Sequence, residues 1–389
     1  MDILSSEGSK NRIPFLDFIR SSCMLLGVFF HSVISYTYIC PPFWLTPDEY
    51  KNPFFDFFVF TLHSFRMEVF FLVSGFFACL LLQKRGSLGF INNRVRRILF
   101  PFVIFWVIIL LSIADIPQNT ATDFKFSGMP IFHLWFLYYL LLFYSIFLGI
   151  MFILNQFPNL LPKVCKYIEI QFARHIHFPA ASHIIILSLL TFLPLCFMKS
   201  TLVDTPLGFN PILNLLIYYS LFFIFGILLQ KQMHLISALA KNRWYYLMTA
   251  LFLISMLFPV YLKLGYTAPF SSIETGSGFL NFRLGYAILT WSLVFSTIGF
   301  GFQHFNFENK ILRYLSDSSY WIYLMHLGVV LYLQSKVMNL SISPFLKLFI
   351  VFLGSFSILL ITYHYCVRNT RIGKLLNGSR PTVIAPLSV

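Results

Sequence analysis

Long apolar stretches recur along the whole chain, and they constrain its fold more than any other feature. Each is about 18 residues or longer, enough to cross the ~30 Å hydrocarbon core of a bilayer as an α-helix. Ten candidate spans cover approximately 15–38, 54–82, 98–114, 131–154, 183–198, 211–229, 244–262, 284–302, 318–335 and 345–367. Hydrophobic residues make up 58% of the chain and charged residues only 11%, which excludes a soluble globule. The sequence predicts an all-α, polytopic membrane helix bundle with about ten transmembrane helices.

The basic residues predict how the bundle is oriented. Most of the 28 Lys and Arg residues fall in connections on the same side as the N-terminus, and cytoplasmic loops retain positive charge. Both termini are therefore expected in the cytoplasm, with a cytoplasmic segment over 1–14, a transmembrane domain over 15–368 and a cytoplasmic tail over 369–389. This bias also accounts for the net charge of +14. Membrane lipid is thus an expected partner, and nucleic acid is not.

The cysteines give no sign of a metal centre or a disulfide framework. There are six of them, scattered without CxxC spacing or a nearby histidine pattern. We therefore predict no metal site and treat the cysteines as small apolar residues of the helices.

Three ionisable residues lie in the first predicted span. A charge at bilayer depth costs at least ~2.5 kcal/mol, so such residues usually face a partner or a polar cavity. Arg20 and His31 are 11 residues apart, which puts them on one face of an α-helix, about 16 Å apart along its axis. Asp17 lies one turn before Arg20, where the two side chains can pair. The alternative is that Asp17 and Arg20 are interfacial anchors and His31 is a hydrogen-bonded packing residue.

The second predicted span carries further polar residues. Arg66 falls near its middle, where its charge cannot easily reach either membrane surface. His63 lies one turn before Arg66, and Ser74 is 11 residues beyond His63, on the same helical face. A glycine follows Ser74, so another helix or a ligand can approach closely there. With Glu68, these residues predict a cavity. The alternative is a structural network that joins Arg66 to Glu68 or to the acidic residue of the first span.

Other polar residues stand at span ends. Arg94 and Arg97 precede the third span and suit the phosphates of a nucleotide-like donor, although positive charge on the cytoplasmic side explains them equally well. At the outer end of the fourth span, the indole of Trp135, two residues after His133, suits a sugar ring or an interfacial aromatic belt.

The ninth predicted span has its own polar signal. Asp317 and the two serines after it predict an N-cap, followed by a helix with His326 inside it.

These residues occur in an ordered set that resembles the acyltransferase-3 family of integral membrane acyltransferases. The motifs are Leu16-Asp17-x2-Arg20-x10-His31, Glu68-Val69-Phe70-Phe71-Leu72-Val73-Ser74-Gly75-Phe76, Arg94-x-Arg96-Arg97-Ile98-x2-Pro101, His133-x-Trp135-Phe136-Leu137 and Ser319-Tyr320-x-Ile322-Tyr323-Leu324-x-His326. Within the family, His63-Ser64-Phe65-Arg66-Met67 before the second motif is most similar to the glucans biosynthesis protein C branch. The chain departs from the family pattern at Glu68, often Asp, at Leu140, often Glu, and at His364, in place of a late acidic residue.

The resemblance implies acyl transfer from a cytosolic acyl-CoA to a carbohydrate hydroxyl, in that branch succinyl transfer to a periplasmic glucan. It implies a bacterial inner-membrane location, succinyl-CoA or acetyl-CoA as co-substrate, no permanently bound cofactor, a glucan or polysaccharide acceptor, and other glucan-biosynthesis proteins as candidate partners. O-acetylation of a surface polysaccharide or a lipid-linked sugar is the runner-up activity. A transporter or flippase for a sugar-linked substrate is the competing non-enzymatic class, because midplane charges suit it as well.

On this hypothesis His31 is the general base on the acceptor hydroxyl, since an imidazole titrates in the appropriate range. Arg20, oriented by Asp17, holds the thioester or a donor phosphate, and Arg66 stabilises the oxyanion or a succinyl carboxylate. The substrate-binding set is Glu68, Ser74, Arg94, Arg97, His63, His133, Trp135 and His326. A covalent acyl intermediate on His31 or Ser74 stays open beside direct transfer.

Overall fold

The computed structural model describes residues 13–114, 129–157, 180–265, 276–307 and 309–377. Its helices are α1 (Pro14–Ile34), α2 (Pro53–His63), α3 (Arg66–Arg94), α4 (Phe100–Ala114), α5 (Trp135–Asn155), α6 (Ala180–Cys196), α7 (Leu213–Lys231), α8 (His234–Lys241), α9 (Arg243–Leu264), α10 (Gly276–Phe305), α11 (Lys310–Val337), α12 (Pro344–Thr362) and α13 (Arg371–Asn377). π-Helical turns at Val95–Leu99 and Tyr363–Val367 continue α3 and α12. The described residues contain no strand. Most of the predicted N-terminal segment, the connection over 158–179 and the end of the predicted tail lie outside them.

The all-α membrane bundle is confirmed. Each of the ten predicted spans coincides with helix, and seven helical stretches in the described residues are long and apolar enough to cross a membrane. That number is lower than ten because α2 to α4 form one apolar stretch, α6 is short, and α11 is too polar. The count of ten and the cytoplasmic placement of both termini stay predictions.

The second predicted span is not one continuous helix, which corrects the sequence analysis. Helix α2 ends at His63 and α3 begins at Arg66. Between them, the Ser64 hydroxyl donates to the Thr61 carbonyl at 2.8 Å and closes the last turn of α2. Arg66 therefore stands at the start of a helix. The helical spacing from His63 to Ser74 does not apply across this break.

Helices α3 and α7 form a close pair through two glycines. A Cβ at Gly75 would collide with the Phe223 carbonyl, and one at Gly226 would collide with the Leu72 carbonyl. The two backbones therefore approach more closely than any side chain would allow. The small surface that follows Ser74 is occupied by another helix and not by a ligand.

Helix α11 begins earlier than predicted, so Asp317 is not an N-cap. Asn309 caps the helix by accepting from the amides of Ile311 and Leu312. Ser318 and Ser319 donate to carbonyls three residues before them, which satisfies their hydroxyls within the helix. The early part of the predicted tail is also ordered, because α13 follows and Asn377 donates to the Asp317 carbonyl.

Buried polar contacts fix the segment between α1 and α2 over the end of the bundle. Lys347, fully buried on α12, pairs with the buried carboxylate of Asp48 at 2.8 Å. Asp56 of α2 accepts from two backbone amides of the segment. Gln334 donates to the carbonyls of His31 and Ser32 and accepts from Thr46. These bonds satisfy carbonyls at the end of α1 and tie it to α11.

Arg283 organises a second segment at the same end of the bundle. Its side chain is fully buried in α10. The guanidinium donates to the carbonyls of Met198, Ser200 and Leu202, just after α6. A buried arginine that serves several carbonyls keeps an irregular segment in place within an apolar surrounding.

Candidate active site

Two helices that lie side by side carry most of the predicted site. At the N-terminal end of α1, Arg20 pairs with Asp17 at 3.2 Å, as predicted from their spacing, and donates to Ser316 of α11 at 3.2 Å. Further along, His31 contacts His326 of α11. The polar face of each helix thus turns toward the other, because neither can present these groups to lipid without a large cost.

The Arg20 end gathers further arginines. Arg85, Arg94 and Arg20 are close enough to repel the charge of Arg97, and these four are named here the arginine cluster. A turn at Gly86, with φ 64°, brings Arg94 back along α3 toward the Phe77 carbonyl.

The cluster has few internal partners for its charge. Arg94 covers the rings of Phe90 and Tyr144 at 5.0 and 4.6 Å. The Tyr320 hydroxyl donates to the carbonyl of Arg97. Among the described residues, no acidic side chain lies within ion-pair distance of Arg94 or Arg97. Four neighbouring guanidinium groups, of which only Arg20 has an ion pair with a described carboxylate, make a site suited to a polyanion.

The other end of the site joins three histidines from separate parts of the chain. Nδ1 of His31 lies 2.9 Å from Nε2 of His326, with the two rings nearly parallel. His133 packs edge-on against His326, with ring centroids 4.6 Å apart. Both His133 Nε2 and His326 Nδ1 contact the main-chain carbonyl of Tyr323, at 2.9 and 2.7 Å. One carbonyl of α11 therefore orients two imidazoles.

A small pocket of about 70 Å³ opens beside these rings. We call it the histidine pocket; its lining comprises His31, His133, Phe43, Trp44, Leu45, Phe132, Trp135, Thr205, Leu207, Leu327 and Leu331. His326 is not part of this lining but contacts His31. The structure brings four of the sequence-predicted site residues, His31, His133, Trp135 and His326, close together, with apolar and aromatic walls around a few polar groups.

The backbone leading to His133 is strained. Phe132, a pocket residue, adopts φ 45°, a left-handed conformation that bulky side chains rarely accept. Such a conformation costs about 1–3 kcal/mol and tends to be retained where a functional group must be aimed. Here it precedes the imidazole that contacts the Tyr323 carbonyl.

Arg66 lies between the two ends of the site. Its guanidinium covers the ring of Phe30 at 4.4 Å and rests against Gly27, one turn before His31 on α1. Although only 8% exposed, Arg66 makes no ion pair in the described residues, and its Nε has no hydrogen-bond partner. Among the described residues, no ion pair joins Arg66 to Glu68 or to Asp17, as the alternative structural network would require. The ring of His63 lies 6.0 Å from that of Phe30.

Glu68 and Ser74 lie away from the histidine pocket. Glu68 is fully buried and accepts from the Tyr218 hydroxyl of α7 at 3.0 Å, which makes it part of the α3–α7 pairing. Ser74 lies beside Tyr144, the ring that Arg94 covers.

Two residues of the site were missed by sequence reasoning. Trp44 donates to Ser35 and places its ring 5.6 Å from that of His31. Its only sequence signal is an indole in a predicted outer connection. Tyr323 stands in one of the quoted motifs, but the role of its carbonyl is not visible in the sequence, because a main-chain group is recognised only once the fold brings the histidines to it.

The geometry of the histidines does not suit a metal ion. The 2.9 Å between His31 and His326 is a hydrogen bond and is too short for an ion between two nitrogens, each of which would need about 2 Å. In the part of the chain that the structure describes, no group of three or more His, Cys, Asp or Glu side chains is arranged to hold a metal.

Comparison with known families gives the class of the protein. The family model for the acyltransferase-3 domain matches residues 13–364, which include α1 to α12 and both ends of the site. The chain belongs to this acyltransferase family.

Curated relatives carry a more particular name. Proteins called glucans biosynthesis protein C from Salmonella paratyphi B, Salmonella heidelberg and Salmonella agona are each 32% identical to the chain over 150 residues, which is 35% of this chain and 38% of each relative. The chain thus matches well under half of the length of these relatives. No solved structure is significantly similar to it.

Proposed function

We propose that this protein transfers a succinyl group from succinyl-CoA, bound at the arginine cluster, to a hydroxyl of a glucan bound at the histidine pocket. The observation that carries the proposal is the separation of the two sites along one pair of helices. Arg20 and His31 share a face of α1 and are about 16 Å apart. The flexible arm of an acyl-CoA is long enough to bridge such a distance while its phosphates stay at the arginines.

The reaction at the histidine pocket is a direct acyl transfer. His31 takes the proton of the acceptor hydroxyl as the oxygen attacks the thioester carbonyl, and the carbon–sulfur bond breaks. The proton on His31 then passes to the departing thiolate, which leaves as free CoA. The products are one ester and one thiol. Ser74 lies outside the histidine pocket, which favours direct transfer over an intermediate on that serine.

Arg66 supports succinyl as the transferred group rather than acetyl. It is buried one helical turn from His31 and lacks an acidic partner in the described residues. The free carboxylate of a succinyl group supplies the partner that a buried guanidinium requires. An acetyl group would leave it unpaired.

The aromatic walls support a carbohydrate acceptor. The rings of Trp44 and Trp135 line the pocket beside His31, and flat apolar faces next to a few polar groups suit a sugar ring. With the N-terminus in the cytoplasm, the pocket lies on the outer side of a bacterial inner membrane, where periplasmic glucans occur. The name shared by the Salmonella relatives agrees with this acceptor and makes other glucan-biosynthesis proteins the expected partners.

The test is donor selection by the purified protein with a glucan acceptor. Wild type should release more CoA from succinyl-CoA than from acetyl-CoA, and Arg66→Gln should reverse or abolish that preference. Equal use of both donors by wild type and by the variant would contradict the succinyl proposal and favour O-acetylation. A transporter would release no acceptor-dependent CoA from either donor.

A further inference from the structure

One hydrogen lies between His31 and His326, and the nitrogen that carries it determines which nitrogen of His31 can act as a base. The two nitrogens are 2.9 Å apart, and the rings are inclined by only 6°. Either nitrogen can be the donor in such a pair. The second contact of His326 decides between them.

Nδ1 of His326 lies 2.7 Å from the carbonyl oxygen of Tyr323. A carbonyl only accepts, so this nitrogen carries a hydrogen. In a neutral imidazole Nε2 then has the lone pair, and it accepts from Nδ1–H of His31. The reverse arrangement would place two lone pairs against each other at 2.7 Å.

A doubly protonated His326 is disfavoured by its surroundings. Among the described residues, the ionisable side chains that act on the charge of the pair are those of His133 and Arg66, and the arginine already brings one positive charge. No carboxylate in the described part of the chain hydrogen-bonds to any of the three histidines. A second buried cation would therefore have no counter-ion.

These bonds leave one nitrogen of His31 free. With its hydrogen on Nδ1, His31 has its lone pair on Nε2, and no described group hydrogen-bonds to that atom. His31 is partly exposed and lines the histidine pocket. In water the opposite tautomer of imidazole predominates, so the surroundings select the basic nitrogen.

We propose that His326 is a positioning residue that, through the Tyr323 carbonyl, holds His31 with its hydrogen on Nδ1 and so presents Nε2 as the base. The inference rests on the proposed function. When Nε2 takes the acceptor's proton, the bond from Nδ1 of His31 to His326 becomes charge-assisted and strengthens. His326 thus stabilises the imidazolium that forms in the transition state. The proton stays on His31 until the thiolate takes it. His326 does not take it, because its Nδ1 keeps the hydrogen that it donates to the Tyr323 carbonyl.

Kinetic variants separate this role from simple packing. His326→Leu removes the acceptor and should lower kcat about 10²-fold or more, with the KM for acyl-CoA unchanged. His326→Gln can accept from His31 and donate to Tyr323, so it should stay within about tenfold of wild type. His364→Leu, a matched change at an exposed histidine that contacts Tyr314, should leave kcat unaltered. A His326→Leu variant with wild-type kcat, or a His326→Gln variant as impaired as His326→Leu, would overturn the proposal.

A spectroscopic readout does not depend on activity. Solid-state NMR of wild-type protein in lipid, with ¹⁵N-labelled histidine and His31→Gln for assignment, should show His31 protonated at Nδ1 and bare at Nε2. Protonation at Nε2 would overturn the inference whatever the activity. The protein could also show His31 protonated at Nδ1 but release no CoA with any acceptor. That result would support the hydrogen-bond chain and refute the proposed function.

Discussion

The two ends of the site differ in how their charged or titratable groups are held. In the histidine pocket, the main-chain carbonyl of Tyr323 orients the rings of His133 and His326, and Gln334 secures the end of α1 next to them. In the arginine cluster, Arg94 rests on aromatic faces, and the neighbouring guanidinium groups repel one another. Hydrogen bonds within the protein orient the histidines, whereas Arg94 and Arg97 have no acidic partner among the described residues.

This difference indicates what each end does. A base must be presented with one tautomer and one orientation, so a rigid surrounding is useful before substrate arrives. A group that binds phosphates gains most when its charge has no internal partner, because the ligand then supplies the missing contacts. We therefore expect variants at the histidine pocket to lower kcat and variants at the arginine cluster to raise the KM for the donor.

The largest effect is expected at His31. Replacement by alanine removes the proposed base and should lower kcat by about 10²- to 10⁴-fold, with little change in the KM for acyl-CoA. Steady-state CoA release by purified protein measures both quantities. His304→Ala, at the exposed end of α10, is the control. A His31→Ala variant with wild-type kcat would show that His31 is not the base.

The rigidity of the histidine pocket depends on a buried ion pair. Asp48→Asn leaves the buried ammonium of Lys347 without its partner and should destabilise the protein by about 3–5 kcal/mol. Thermal unfolding in detergent measures this loss. Adding Lys347→Met removes the orphaned charge and should restore a large part of the stability. If Asp48→Asn melts like wild type, the ion pair does not secure the segment above the pocket.

The arginine cluster should respond in donor affinity. Arg97→Ala removes a charged contact worth about 1.5–3 kcal/mol, so we expect the KM for acyl-CoA to rise about ten- to hundredfold while kcat stays within a few-fold. The increase should shrink at high salt, since the donor's phosphates are then screened. Arg371→Ala, an exposed change outside the cluster, provides the comparison. A fall in kcat at constant KM would mean that Arg97 acts in the chemical step. The two ends of the site would then not differ in the way proposed.

The smallest effect is expected at Trp44. Its replacement by alanine removes one aromatic wall of the pocket, and aromatic contacts contribute about 0.5–1.5 kcal/mol beyond their area. The KM for the glucan should rise about two- to tenfold, and the KM for the donor should not change. Trp244→Ala, at an exposed indole on α9, is the matched control. Unchanged use of the glucan by Trp44→Ala would mean that the acceptor binds elsewhere.

Sequence reasoning predicted the helices and most residues of the candidate site from local physical properties. Apolar runs and the cost of charge in lipid are local properties, so they marked the spans and the polar residues within them, including Arg20 and His31. The pairing of Asp17 with Arg20 followed from helical spacing, and the structure has it.

What sequence reasoning missed depends on contacts between distant segments. The break between α2 and α3 has no proline or glycine to mark it, and a side-chain bond from Ser64 closes the helix. The joint contact of His133 and His326 with the Tyr323 carbonyl, and the pairing of Asp48 with Lys347, exist only after packing. The bond that Glu68, a residue of the predicted substrate-binding set, accepts from Tyr218 of α7 likewise appears only in the fold.

In the proposed reaction, a succinyl group passes from a donor bound at the arginine cluster to an acceptor bound at the histidine pocket. The most direct test of this transfer uses proteoliposomes with protein of known orientation, succinyl-CoA on the arginine side only and glucan on the histidine side only. We predict that free CoA appears on the donor side and succinyl ester on the opposite side in equal amounts, and that His31→Ala yields neither. Ester formed only when both substrates share one side, or CoA released without ester, would contradict the account.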